Sequence, residues 1–151
     1  GIGKSCLLKK IYDTLQQDKN LSIGYMPQDY DNFLPKEINA IDFLREVSTE
    51  TDARTILGSL QFTRFEMEHP TNELSGGQKA KLFLAHMALA KNHILILDEP
   101  TRHFSPTSQP IVRKLLSDFD GCIISVSHDK AFIQEVPKIS YRLNEKFLEK
   151  Q

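Results

Sequence analysis

Gly1-Ile2-Gly3-Lys4-Ser5 has the composition of the second half of a phosphate-binding loop, G-x-x-x-x-G-K-[ST]. Glycines let backbone N–H groups close on phosphate oxygens. Lys4 adds a mobile positive charge, and the Ser5 hydroxyl can reach a Mg2+ ion. A helix that starts here points the positive end of its dipole at the same phosphates. A glycine turn capping an ordinary helix has a similar composition, so these five residues alone leave both readings open. The first glycine of the full pattern is absent and the chain does not open on Met, so it reads as part of a longer protein.

Other residues with chemical potential follow in one direction along the chain. Ile94 to Leu97 is an unbroken apolar run that ends in Asp98-Glu99. In a nucleotide site the first acid holds Mg2+ and the second polarises the attacking water; two solvated acids at a strand end are the plainer alternative. Leu74-Ser75-Gly76-Gly77-Gln78 opens a helix that Ser75 can cap, and the two glycines expose backbone N–H groups to an anion. A plain helix cap seldom needs two consecutive glycines. Gln28 follows a strand and a proline, where it can sense a metal or water, although a glutamine is usually a surface residue. His128, beyond a second apolar run, can hydrogen-bond a γ-phosphate or serve as a structural histidine.

The elements that would position these groups alternate. Ser5 to about Gln16 carries Leu7, Leu8, Ile11 and Leu15 as one helical stripe, and Leu21 to Met26 alternates as a short strand. Residues 29–36 read as a loop and residues 37–69 as a compact helical insert. In that insert Ile38, Ile41 and Leu44 share a face, Ala53, Ile56, Leu57 and Leu60 share another, and Thr63 with Glu66 has capping-box spacing. Ser75 to Lys91 predicts a longer helix. Ile94 to Leu97 predicts a strand buried on both faces of a parallel sheet. Next come a helix from about Thr107 to Phe119, with Pro110 tolerable only in its first turn, and a second buried strand at Cys122 to Ser127. A short helix and a last strand, Ile139 to Leu143, complete the pattern. Strands alternating with helices predict an α/β fold, and ligands bind such sheets at the carboxyl ends of the strands.

The 151 residues suit one domain, and 40% hydrophobic with 26% charged residues is ordinary for a globular protein. A formal net charge of -1 gives no overall attraction to nucleic acid or anionic membrane. No stretch approaches the ~18 apolar residues needed to span a bilayer. Cys6 and Cys122 have no metal-type spacing, so reduced thiols in the cytoplasm are expected.

Taken in order, the phosphate loop, Gln28, Leu74-Ser75-Gly76-Gly77-Gln78, the strand ending in Asp98-Glu99, and Ser127-His128-Asp129 resemble the ABC ATPase family along essentially the whole chain. The resemblance implies a P-loop NTPase fold, with a RecA-like core in residues 1–28 and 92–151 and a helical subdomain in residues 29–91. It implies ATP and Mg2+ as ligands. Gly1, Gly3, Lys4 and Ser5 are then the remaining Walker A residues, and Cys6 stands where a hydroxyl residue usually meets the α-phosphate. Gln28 is the Q-loop glutamine, Asp98 the Walker B aspartate on Mg2+, Glu99 the general base and His128 the switch histidine. Metal contacts fall to Ser5, Gln28 and Asp98. Ser75, Gly76, Gly77 and Gln78 would complete the nucleotide site of a second, facing ATP-binding domain.

Lys79-Ala80-Lys81-Leu82 and Ser127-His128-Asp129-Lys130-Ala131-Phe132 look like the ABC-F group, whose pattern in the second region is S-H-D-R-x-F. That resemblance implies two ATP-binding domains in one chain, no membrane domains, and a role on the ribosome as a translation factor or a protector against antibiotics. Two departures stand out. Where ABC-F continues N-H-L-D, this chain reads Arg102-His103-Phe104-Ser105, which replaces an amide with a cation and removes a carboxylate that contacts the facing domain. The Cys6 thiol is the other, a weaker hydrogen-bond partner than a hydroxyl. The competing readings are an ATPase subunit with a membrane partner, and a nucleotide-binding interaction module with little turnover.

Overall fold

The apolar run ahead of Asp98 becomes the middle strand of a parallel sheet in the computed structural model of the chain, which describes residues 3–27, 33–143 and 148–150. Strands β1 (Ile23–Met26), β2 (Ile94–Asp98) and β3 (Cys122–Val126) lie in the order β1-β2-β3. Ile23 pairs with Ile94 and Met26 with Leu97 on one side of β2, while Ile94 pairs with Cys122 and Asp98 with Val126 on the other. Leu95, Ile96 and Leu97 are each 0% exposed. Removing such side chains from water contributes about 1.5–3 kcal/mol apiece. All three strands end at the same edge of the sheet, so whatever follows them is gathered there.

Helix α1 (Lys4–Leu15) packs on one face of this sheet. Its stripe is as expected, with Leu8 buried and Leu7, Ile11 and Leu15 half-buried. Tyr12 on α1 stacks on Tyr25 of β1 with ring centroids 4.7 Å apart.

Among the described residues, four α-helices and a 3-10 turn (Thr71–Glu73) connect β1 to β2: α2 (Ala40–Arg45), α3 (Glu50–Ser59), α4 (Arg64–Glu68) and α5 (Gly76–Leu89). Each of the four α-helices starts with a side-chain cap. Asn39, Thr49, Thr63 and Ser75 accept from the N–H groups of Asp42, Asp52, Glu66 and Gln78 respectively. Such a cap typically contributes about 1 kcal/mol. Ile38 precedes α2 rather than sharing its face. Ala40, Leu44, Ala53, Leu57, Leu60, Leu82 and Leu84 are all 0% exposed and form one core with the sheet. The buried Lys81 of α5 donates to the carbonyl of Leu60 at the end of α3 (3.0 Å), where the negative pole of that helix favours a cation. Gly24 lets α5 close on the sheet, since a Cβ there would lie 2.8 Å from Leu95 Cδ2 and 3.2 Å from Met87 Sδ.

Helix α6 (Gln109–Ser117) has Pro110 in its first turn, as required, and runs shorter than its sequence pattern at both ends. Helix α7 (Lys130–Glu135) is capped by Asp129 and joined to α6 by an Arg113–Glu135 ion pair of 2.7 Å. Two expectations are corrected. The apolar pattern predicts a buried β3, yet the strand is half-buried and Cys122 is exposed, because β2 is its one sheet neighbour among the described residues. The strand expected at Ile139 to Leu143 is β4 (Tyr141–Leu143), which is not the last: it pairs antiparallel with an unpredicted β5 (Leu148–Lys150) outside the parallel sheet. No helix among the described residues is long and apolar enough to cross a membrane.

His86 of α5 stacks on Phe43 of α2 at 4.5 Å, half-buried, and Glu46 lies 3.9 Å from its Nε2. Burial holds it below the ordinary histidine range, with Glu46 opposing in part. On acidification the unfolded chain therefore takes up a proton at this residue before the folded chain does. Stability is unaffected well above the unfolded value of about 6.5, falls as the pH drops below it, and levels off once folded His86 is also protonated. The unfolding midpoint should fall between about pH 7.5 and about pH 5.5, and fall less in His86→Phe. Equal slopes for the two proteins would assign the acid sensitivity to other groups.

Candidate functional site

The carboxyl edge of the sheet collects three of the residues singled out from sequence. Asp98 closes β2, 4% exposed, and its carboxylate has no hydrogen bond or salt bridge among the described residues. Its charge is felt nearby. Tyr25 is pushed above the ordinary phenol range, first by burial and then by Asp98. A nearly buried carboxylate with no protein donor beside it is a place for a cation.

Glu99 turns the chain sharply. Its φ is 52°, in the left-handed region that a non-glycine residue seldom adopts, and the next residue is Pro100. Such a backbone costs about 1–3 kcal/mol and persists where surrounding contacts impose it. Here the Glu99 N–H donates to the Val126 carbonyl (2.9 Å), and the carboxylate accepts from the His128 backbone N–H (3.1 Å). The turn thus pins the end of β2 to the end of β3 and aims Glu99 along the edge.

Lys4 meets this pair from α1. Its Nζ lies 3.0 Å from His128 Nε2, and that same nitrogen lies 3.5 Å from Glu99 Oε1. An ammonium group has donors and no acceptor, so in this contact Lys4 donates and Nε2 accepts. Glu99 is tucked in, with its side chain 13% exposed, while that of His128 is 74% exposed. The histidine is therefore the member of the cluster with room to move. Next to it, Ser127 Oγ accepts from the Asp129 N–H at 3.1 Å.

Gly3 sits at the N-cap of α1 with φ 80° and ψ 17°, a left-handed conformation that suits glycine. The first backbone bond of the helix is Leu7 N–H to Gly3 C=O at 2.9 Å. The N–H groups of Lys4, Ser5 and Cys6 therefore have no intrahelical acceptor. Unpaired donors at the N-terminus of a 12-residue helix favour an anion, and Lys4 adds its charge at the same end. Ser5 and Cys6 are both exposed. A groove of about 640 Å3 extends from Lys4 and His128 between α1 and β3 toward Leu143. Gly1 and Gln28 lie outside the described residues.

At the start of α5, Ser75 and Gln78 form a reciprocal capping box. Ser75 Oγ accepts from the Gln78 N–H (3.3 Å), and the Gln78 side-chain carbonyl accepts from the Ser75 N–H (2.7 Å). A Cβ on Gly77 would come within 3.3 Å of the His103 carbonyl, so the turn after Glu99 packs on this helix start. Arg102 is exposed on that turn, with no ion pair among the described residues. Ser105 hydrogen-bonds Thr107 (2.9 Å) and Ser108 (3.2 Å) and so belongs to the entry into α6.

The family model for the ABC transporter matches residues 1–102. The chain belongs to the ABC transporter family. It is 38% identical over 146 residues to the ATP-binding protein YdiF of Bacillus subtilis (strain 168), covering 90% of this chain and 23% of that protein. It is 27% identical to ABC transporter F family member 5 of Arabidopsis thaliana, covering 90% of this chain and 21% of that protein. The chain thus spans about a quarter of the length of the curated relatives it matches. Among solved structures, the ATP-binding cassette MJ0796, a dimer bound to ADP and Pi in a post-hydrolysis state, superposes with a TM-score of 0.69 at 20% identity. That match covers 91% of this chain and 66% of the other, and establishes the ABC cassette fold.

Sequence reasoning named Glu66 and Lys81 for local patterns and missed their contacts to other helices in this part of the molecule. Glu66 was legible as the cap partner of Thr63, but its second partner, Gln78, lies on another helix. Lys81 had a helical position and no pattern pointing to a carbonyl 21 residues away.

The Lys4–His128 contact has a measurable consequence. ADP has no γ-phosphate for a histidine to reach, so it profits only from release of the lysine. The His128→Ala form of the full-length protein should bind ADP about two- to tenfold more tightly, the range expected for one hydrogen bond removed from the competing state. Unchanged or weaker ADP binding in a calorimetric titration would show that the contact does not compete with nucleotide.

Proposed function

We propose that this chain is an ATP-binding domain that hydrolyses ATP with Mg2+ once a second such domain faces it. The observation that carries the reading is the cluster of Lys4, Glu99 and His128, drawn together from residues 124 positions apart at one end of a parallel sheet. The α1 N-terminus with Gly3, Lys4 and Ser5 would hold the phosphates, with Gly1 completing the loop and Cys6 near the α-phosphate. Asp98 and the Ser5 hydroxyl are oxygen donors of the kind Mg2+ accepts beside phosphate oxygens and water, and Gln28 would join them. Glu99 would take the proton from the attacking water, and His128 would leave Lys4 for the γ-phosphate.

Residues Ser75, Gly76, Gly77 and Gln78 would serve the facing nucleotide, and residues 29–91 would form the helical subdomain that carries them. The similarity to an F family member, together with Lys79-Ala80-Lys81-Leu82 and Ser127 to Phe132, favours a task on the ribosome, in translation or in antibiotic protection, by a cytoplasmic protein with no membrane subunit.

Steady-state phosphate release by the full-length protein tests the chemistry. Glu99→Gln should lower turnover by about 100-fold or more, the usual contribution of a general base, while ATP still binds. Lys4→Ala should lose ATP affinity as well. Binding of ATP with no release above the Lys4→Ala level would make the domain an interaction module. Co-sedimentation of the ATP-loaded Glu99→Gln form with ribosomes tests the task. A purified complex containing a membrane subunit would instead make it a transporter motor.

A further inference from the structure

The amide of Gln78 is held at both ends. Its oxygen accepts from the Ser75 N–H at 2.7 Å, and its nitrogen donates to Glu66 Oε1 on α4. The other oxygen of Glu66 accepts from the Thr63 N–H at 2.7 Å, while Thr63 Oγ1 accepts from the Glu66 N–H at 3.2 Å. Two capping boxes, one opening α4 and one opening α5, are therefore clasped through a single carboxylate–amide hydrogen bond. Backbone and side-chain hydrogen bonds from Thr63, the Gln78 amide and the positive charge of Lys81 together hold the Glu66 carboxyl below the usual range, outweighing its burial. Lys81 itself is spent on the Leu60 carbonyl, so α5 is tied to the end of α3 as well.

This arrangement leaves the Gln78 side chain little capacity for a ligand. Its oxygen and one of its two amide protons are committed within the domain, and the other proton remains. The Ser75 hydroxyl is in the opposite position. Its oxygen accepts from the Gln78 N–H, and its own proton remains to be donated. The same clasp orients the first turn of α5, where the backbone N–H groups of Gly76 and Gly77 lie.

We propose that Gln78 is a positioning residue rather than a contact to the facing nucleotide, and that Glu66 is its partner, orienting Ser75-Gly76-Gly77 toward the second domain's phosphates. The inference rests on the proposed function of that surface.

An exchange of the two side chains separates positioning from folding. In Glu66→Gln the new amide oxygen still accepts from Thr63 N–H, so the α4 cap survives, but amide nitrogen faces amide nitrogen across the clasp. In Gln78→Glu the α5 cap survives, but two carboxylates meet. In the double variant E66Q/Q78E the amide introduced on α4 donates to the carboxylate introduced on α5, and both caps and the clasp are present again.

The measurement is steady-state ATPase of the full-length protein, with ADP affinity taken on the same samples. Each single variant should lower kcat about tenfold, the scale of one charge-assisted hydrogen bond, with ADP affinity unchanged. The double variant should return to within about twofold of wild type. Single variants at the wild-type rate, or a double variant no better than the poorer single, would overturn the assignment of Glu66 and Gln78. A parallel fall in ADP affinity would mark a general loss of structure and would overturn it too. A wild-type protein with no turnover above Lys4→Ala would overturn the functional reading beneath it, which is a separate failure.

Discussion

Leu95, Ile96 and Leu97 are wholly removed from water between β1 and β3, and that burial fixes where the next two residues emerge. A strand apolar on both faces and paired on both sides cannot slide back by one residue without drawing the Asp98 carboxylate into the buried ladder. Asp98 is therefore locked at the carboxyl edge, with Val126 opposite it, and Glu99 is the first residue released from the ladder. The release is abrupt because the Glu99 N–H is still bound to the Val126 carbonyl while Pro100 restricts the chain ahead. The positive φ of Glu99 is the geometric result, and it brings the carboxylate back over the end of β3 to the His128 N–H. The strain sits at a residue whose direction matters for chemistry, and the strand buried behind it over-determines that direction.

The molecule positions its two candidate phosphate-facing surfaces by different physics. Around Lys4, Glu99 and His128 the backbone does the positioning: strand ends, a helix N-terminus and one strained turn set the distances. At Ser75 to Gln78 the side-chain hydrogen bonds of the first turn do the positioning instead. Capping boxes, the Glu66–Gln78 hydrogen bond and the Lys81–Leu60 bond fix a helix start that would otherwise fray. A sheet edge is insensitive to single polar substitutions, whereas a side-chain clasp can be opened by exchanging one oxygen for a nitrogen. The helical part is thus the more adjustable of the two, which would suit a surface proposed to meet another domain.

What could be read from the sequence divides along the same line. The α5 helix, the buried β2 strand, the Thr63–Glu66 capping box and the position of Pro110 in the first turn of α6 are all local patterns, and all were legible. The candidate site was legible as a set of residues, because phosphate loops and strand-end acids have short signatures. Its geometry was not. No local pattern carries a lysine–histidine contact spanning 124 positions, a positive φ at Glu99, or the second partner of Glu66. The burial of β3 was overread for a related reason. Apolar composition states what a strand can bury, and exposure depends on which neighbours stand beside it, here β2 alone among the described residues. Strand β5 was missed because its three residues are too few for a period-2 signal.

The turn at Arg102 to Ser105 shows how the two surfaces bear on each other. It begins at the strained Glu99 and reaches the start of α5, where the His103 carbonyl sits against Gly77. The two ends are therefore joined through packed backbone rather than through solvent. Relative to the N-H-L-D pattern the turn carries a cation in place of an amide and a hydroxyl in place of a carboxylate, so its charge is more positive by two. Ser105, though exposed, is hydrogen-bonded to the hydroxyls of Thr107 and Ser108 and supports the entry into α6, and it carries no charge to replace a carboxylate. Arg102 stands exposed with no acidic partner among the described residues. A facing domain shaped for the usual pattern, with a cation opposite the carboxylate, would meet repulsion here, while an acidic group in that place would gain an ion pair. The electrostatic match at this turn would thus select among the facing domains proposed for it, and more sharply at low ionic strength, where exposed charges are least screened.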